Sequence, residues 1–138
     1  MKSTLFLRGA AVLSLLLGLG HMMGKPWTPA KNDPLAAAVV VGMKAHEMHV
    51  MGFDRTFMDF YVGFGLMLGV YLLAQAALLW MLAGLANSAE ARVRGMTIVF
   101  FAANLALTIL AAGYLFTLPL ILTGVVTLCL GAAVAAKR

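Results

Sequence analysis

Three histidines, five acidic residues and one cysteine are this chain's main candidates for acid–base, metal or thiol chemistry. His21 ends a first apolar segment. Asp59 opens a second, Arg55 stands four residues earlier, and Tyr114 ends a third. If the first two segments are adjacent antiparallel helices, His21 and Asp59 lie at similar depth, with Tyr114 at the same level. Arg55 and Asp59 at i, i+4 can pair. Four polar groups from three helices then converge near one membrane face, where ionisable residues are costly and often functional. Such a cluster suits two chemistries. His21 and Asp59 can act as an acid–base pair on an apolar substrate, with Arg55 keeping Asp59 ionised. Alternatively, His21, Glu47, Arg55, Asp59 and Tyr114 bind a ligand. The competing reading is an interfacial anchor of snorkelling side chains that fix helix depth.

Glu47 enters this set through a predicted loop helix over 35–51. On its wheel Leu35, Val39, Val40, Met43, Val50 and Met51 share a broad apolar face, and Glu47 falls among them. A carboxylate there needs a partner, Arg55 or His21; off a helix, Glu47 is simply solvated. His46-Glu47-Met48-His49 is not H-E-x-x-H, whose histidines stand at i, i+4. His46 and His49 at i, i+3 are about 60° apart on a helix. Together with Met43, Met48 and Met51 they make a soft-metal site a weak alternative to no metal. A lone Cys129 in an apolar run excludes an intramolecular disulfide, a CxxC pair and quinone-linked disulfide chemistry.

The elements that must position these groups follow from composition. Of 138 residues, 63% are hydrophobic and 11% charged, where a soluble domain carries about 25% charged residues. With a mean hydropathy of +0.98, an ordinary soluble enzyme, a disordered chain and a nucleic-acid reader are excluded. The net charge of +5 comes from Lys and Arg scattered at segment ends, as membrane topology requires. Gly95 to Ala136 is uncharged. One span needs about 20 residues, so this run holds two, broken at Tyr114–Pro119 because proline suits the first turn of a new helix. Phe60 to Ala89 is also uncharged and holds another span, ended by Gly84 and Asn87-Ser88. The N-terminal stretch reads as an uncleaved span and not a signal peptide, because Arg8 interrupts its apolar part and no small-x-small site precedes Lys25. The expectation is one all-α integral membrane domain over 1–138. It is a four-helix transmembrane bundle with spans at about 4–24, 57–84, 96–115 and 117–136, and an amphipathic loop helix on the extracytoplasmic surface.

Lys2, Arg8, Arg92, Arg94, Lys137 and Arg138 share one side of such a bundle. Lys25, Lys31, Lys44 and Arg55 spread along the loop on the other. The first side is therefore expected in the cytoplasm, with both termini. Trp80 would sit near the inner interface and Trp27 near the outer. Gln75 and Asn104 both fall roughly 12–13 Å above the inner edge, the right depth for a structural hydrogen bond between helices. Gly20-x-x-x-Gly24 and Gly65-x-x-x-Gly69 permit close helix approach, within the bundle or between copies. No facing histidine pair exists within the membrane, so a bis-histidine haem is not expected, nor is any other cofactor. No acidic residue lies inside the first, third or fourth span, unlike a small multidrug exporter.

The segments Gly20-His21-Met22-Met23-Gly24 and Arg55-Thr56-Phe57-Met58-Asp59-Phe60-Tyr61-Val62-Gly63-Phe64-Gly65, with Leu79-Trp80 and the Tyr114…Pro119 turn, resemble an uncharacterised family of small four-span bacterial membrane proteins. The arrangement is broadly similar to DoxX-type proteins at fold level only. The resemblance implies a bacterial inner-membrane protein and transfers no activity. The functional expectation is a non-enzymatic accessory subunit of a larger membrane complex, or a binder of a lipid, quinone or sterol-like molecule. A small His/Asp membrane enzyme is the alternative, and a carrier the third. The partners expected are the bilayer and such a ligand, not nucleic acid.

Overall fold

A computed structural model of the protein describes residues 2–28, 32–86 and 90–136. Five helices and one short hairpin follow in order: α1 Lys2–Gly24, α2 Pro34–Ala45, β1 Glu47–Val50, β2 Phe53–Thr56, α3 Phe57–Leu85, α4 Glu90–Tyr114 and α5 Thr117–Ala135. Four of them, α1, α3, α4 and α5, are long and apolar enough to cross a membrane. Their outward stripes are apolar, as lipid contact requires: Leu5, Val12, Leu16 and Met23 on α1, and Phe64, Met67, Val70 and Tyr71 on α3 are all exposed. Asn87, Ser88, Lys31, Lys137 and Arg138 lie outside the described residues.

Two element boundaries differ from the sequence reading. α4 begins at Glu90, not near 96. The absence of charge marks what fits in hydrocarbon, whereas a helix continues into water through Arg92 and Arg94 at no cost, and an acid in its first turn suits the dipole. The loop helix ends at Ala45 instead of 51, and a hairpin follows. α2 itself is well started, with Pro34 in its first turn and the Asp33 carboxylate accepting from the Ala36 amide at 2.9 Å. It ends where His46 turns to extended backbone, φ −92° and ψ 104°, and the hairpin turns at Met51-Gly52. Both residues have positive φ, 50° and 86°, the signature of a two-residue hairpin turn. Gly52 is thus a turn residue. In the antiparallel register Val50 faces Phe53, His49 faces Asp54, and Glu47 faces Thr56. α2 and the hairpin rest against the start of α3, and no residue of α2 is buried.

α1 is the centre of the bundle. It packs along α3 on one side and α5 on the other, and α5 in turn packs on α4, while α3 and α4 barely touch. The hydrophobic core occupies one half only: Leu7, Ala10 and Ala11 of α1 meet Leu79, Leu82 and Ala83 of α3, Val93 of α4, and Val126, Leu130 and Ala133 of α5. This is the end that holds both termini. Toward the hairpin end the four helices enclose a cavity instead.

Close approach of α1 to α3 depends on Gly65 and Gly69. A Cβ at Gly69 would collide with the Met22 sulfur and lie 3.5 Å from the His21 ring, and one at Gly65 would sit 2.7 Å from Trp27. Around Gly20 and Gly24 there is open space. The first glycine pair therefore serves packing within the bundle, and the second borders the cavity. Gly69→Val is expected to cost about 1–3 kcal/mol through overpacking, read as a lowered unfolding temperature in detergent. Gly20→Ala should leave that temperature within about 0.5 kcal/mol of the original.

Candidate functional site

The cavity measures about 740 Å³, within the roughly 300–1,000 Å³ range of small-molecule sites. All four long helices line it. Leu16 and Leu17 come from α1, Phe64, Leu68 and Leu72 from α3, Leu107 and Ala111 from α4, and Leu118, Leu122 and Thr123 from α5. α3 and α4, which both line it, hardly touch one another.

His21 stands at its wall. Its Nε2 lies 2.8 Å from the Gly65 carbonyl oxygen. A carbonyl only accepts, so Nε2 carries the hydrogen and Nδ1 of the neutral ring is left as an acceptor. The bond is reachable because Gly65 and Gly69 present no side chains between the helices. Trp27 packs edge-on to the imidazole, with centroids 5.9 Å apart at 69°. The turn that carries Trp27 is closed by the Thr28 amide on the Lys25 carbonyl at 2.8 Å. It is tied to α3 by the Tyr61 hydroxyl, which donates to the Pro26 carbonyl at 3.2 Å. Pro26, Trp27 and Tyr61 all line the cavity, so a pinned strap borders its mouth.

Below the cavity lies a polar layer. Gln75 Nε2 donates to Ser14 Oγ at 2.9 Å and to Asn104 Oδ1 at 3.2 Å. Asn104 Nδ2 donates to Gln75 Oε1 at 3.0 Å and to the Phe100 carbonyl at 2.9 Å. All four amide hydrogens are engaged, and both amides are 2% exposed. Leu17, Leu72 and Leu107 of the cavity lie about one turn from Ser14, Gln75 and Asn104 along their helices, so the layer sits directly beneath the floor. Beside it the Thr108 and Thr127 hydroxyls meet at 3.0 Å, Thr127 donates to the Thr123 carbonyl, and Thr123 reaches the cavity.

The other expected members of the cluster do not join His21. α3 starts only at Phe57, so Arg55 is on β2 and not one helical turn from Asp59. Its guanidinium donates to the Asp54 carbonyl at 2.7 Å and covers the Phe53 ring at 5.3 Å. Asp59 caps α3: its carboxylate accepts from the Thr56 amide at 2.8 Å and the Thr56 hydroxyl at 2.9 Å, and its own amide donates back to Thr56 Oγ1. Six residues separate Asp59 from Gly65, which puts it about 9 Å further along the helix than the bond to His21. Tyr114 ends α4 as expected but is 84% exposed; its successors Leu115 and Phe116 line the cavity instead. Glu47 is exposed on β1, because no helix carries it to an apolar face. His46 stacks on Phe57 at 5.2 Å, and His49 bonds Asp54 at 2.8 Å across the hairpin. Among the described residues no three His, Cys, Asp or Glu side chains gather as a metal site would need.

Tyr61, Pro26, Trp27 as a cavity residue, Ser14, Thr108, Thr123 and Thr127 escaped the sequence reading. Part of the signal was present. Ser14 and His21 are seven apart on one face of α1, and Asn104 and Thr108, like Thr123 and Thr127, are one turn apart. No protein family, characterised protein or solved structure matches this chain.

If the amide layer holds α3 to α4, Asn104→Leu should lower stability by up to about 2 kcal/mol. The Gln75→Leu, Asn104→Leu double variant should then cost less than the sum of the singles, measured by thermal unfolding in detergent. Strict additivity would show that the two amides do not act together.

Proposed function

We propose that this protein is a non-enzymatic membrane protein that holds an apolar, lipid-like molecule such as a quinone- or sterol-sized ligand among its four long helices. The observation that carries the reading is the half-open apolar cavity at the hairpin end, with His21, Trp27 and Tyr61 at its border. A largely apolar pocket with a few convergent polar groups is the usual form of a small-molecule site. His21 Nδ1 is the acceptor available to orient a ligand hydroxyl, and the Thr123 hydroxyl, which donates to the Pro119 carbonyl at 2.8 Å, lies on the α5 wall.

An acid–base pair gains no support, because Asp59 is consumed by the cap of α3 and stands away from His21. A carrier gains little, since the amide hydrogens of the Gln75–Asn104 layer are all used within the protein and none is left to pass a solute on. The proposed setting is a bacterial inner membrane with both termini in the cytoplasm. Supporting it are Lys2, Arg8, Arg92 and Arg94 clustered at the termini end, with Lys137 and Arg138 beyond. α2 and the hairpin then lie on the outer surface, with Leu35, Val39 and Met51 exposed toward the interface.

Mass spectrometry of the gently extracted protein should find an apolar molecule bound near one per chain. Leu68→Trp, which fills the cavity, should remove it while leaving the unfolding temperature close to the original. An intact, ligand-free wild type after extraction from native membranes would overturn the reading. For orientation, a C-terminal alkaline-phosphatase fusion should be inactive and a C-terminal green-fluorescent fusion bright; the reverse would invert the topology.

A further inference from the structure

Arg8 lies on the lipid-facing stripe of α1, in line with the exposed Leu5, Val12, Leu15 and Leu19. Its guanidinium carbon stands 5.1 Å from the centroid of the Trp80 ring, a cation–π distance. Arg8 is six residues into α1 and Trp80 five from the end of α3, so the two share one depth, about 8–9 Å inside the termini end. Both are exposed, and Trp80 keeps 52% of its surface open. Gly84, one turn beyond Trp80 on the same face, leaves further room: a Cβ there would meet nothing within 4 Å.

An arginine on a lipid-facing stripe near a helix end reaches the headgroup level by snorkelling and there pairs with anions. Its fork offers five N–H donors and cannot shed its charge. Among the described residues no protein group accepts from it, and the single ion pair there is His49–Asp54 at the opposite end. Asp33, Asp54, Asp59 and Glu47 are all at that far end too, whereas Lys2, Arg92 and Arg94 share the end of Arg8 with one acid, Glu90 at the start of α4, so basic residues outnumber acids there. The local field is thus positive. With one face of the guanidinium covered by the indole, its N–H edges remain for two parallel bonds to a phosphate, at the level where indoles border the headgroups.

We propose that Arg8 and Trp80 form a binding site for the phosphate of an anionic glycerophospholipid in the leaflet at the termini end. The phosphate seats on the Arg8 fork, and the glycerol and first acyl methylenes lie along the Trp80 face and over Gly84. The site is separate from the cavity, which opens at the other end of the bundle.

The test is native mass spectrometry of the whole chain in detergent with equimolar phosphatidylglycerol and phosphatidylcholine. Retention of phosphatidylglycerol over phosphatidylcholine should be about fivefold, the effect of one basic residue near a membrane surface, and should shrink with added salt. Arg8→Gln should bring the ratio to unity, Arg8→Lys should lower it by losing the fork, and Trp80→Leu should lower it as well. Arg92→Gln and the cavity-filling Leu68→Trp should leave it unchanged, and free glycerol phosphate should not compete. Equal retention of both lipids by the wild type would overturn the site, as would an undiminished ratio in Arg8→Gln or, should that variant fail to fold, in Arg8→Lys. Loss of the ratio in Arg92→Gln would reassign it to the general basic collar.

Discussion

The two-way amide bond between Gln75 and Asn104 is the interaction on which the bundle's shape depends. α3 and α4 are neighbours in sequence but hardly touch, and this bond is where they are joined across the apolar interior. Hydrocarbon offers these amides no alternative partners, so each must find a protein acceptor or leave the membrane. Ser14 completes the arrangement by bringing α1 to the same level. With every amide hydrogen satisfied, the layer specifies one depth register for three helices. A purely leucine interface, which tolerates sliding, would not.

That layer divides the molecule into two halves of different character. On the termini side small residues, Ala10, Ala11, Ala83 and Ala133, let the helices close on Leu7, Leu79 and Leu130 until all are buried. On the hairpin side leucines from all four long helices face a cavity instead. The same polar contact that ties the bundle together lies about one helical turn beneath the leucines that floor the cavity. Above, the strap formed by Pro26 and Trp27 is held by Tyr61, and His21 is held by the Gly65 carbonyl. The rim is therefore built from side chains whose positions are already fixed before any ligand arrives, which lowers the ordering cost of binding.

The charged residues divide in the same way. At the hairpin end they are spent on local structure: Asp33 starts α2, Asp59 starts α3, Asp54 pairs with His49 across the hairpin, and Arg55 covers Phe53. At the termini end the basic residues have no such employment among the described residues, and Arg8 faces outward beside Trp80. The local structural roles are thus gathered at the hairpin end, where Lys25, Lys44 and Glu47 also stand exposed, while Arg8 meets the surroundings at the other.

The sequence by itself determined the number and placement of the four long apolar helices, because uncharged runs of the required length have one stable form in hydrocarbon. It also determined the depth of Gln75 and Asn104, since rise per residue converts position into height. Asp59, by contrast, reads from sequence as a membrane-depth acid beside His21, yet it is a helix cap, because whether Thr56 or a neighbouring helix claims the carboxylate depends on where α3 starts. The end of the periodic helix is likewise a hairpin, turned at Met51-Gly52, and the 3.6-residue pattern over 46–51 gave no sign of it. Tertiary structure alone decided which helices touch. Periodicity says that a face is buried but not against what. The cavity and the meeting of His21, Trp27 and Tyr61 around it come from segments far apart in the chain, and no spacing along the sequence encodes them.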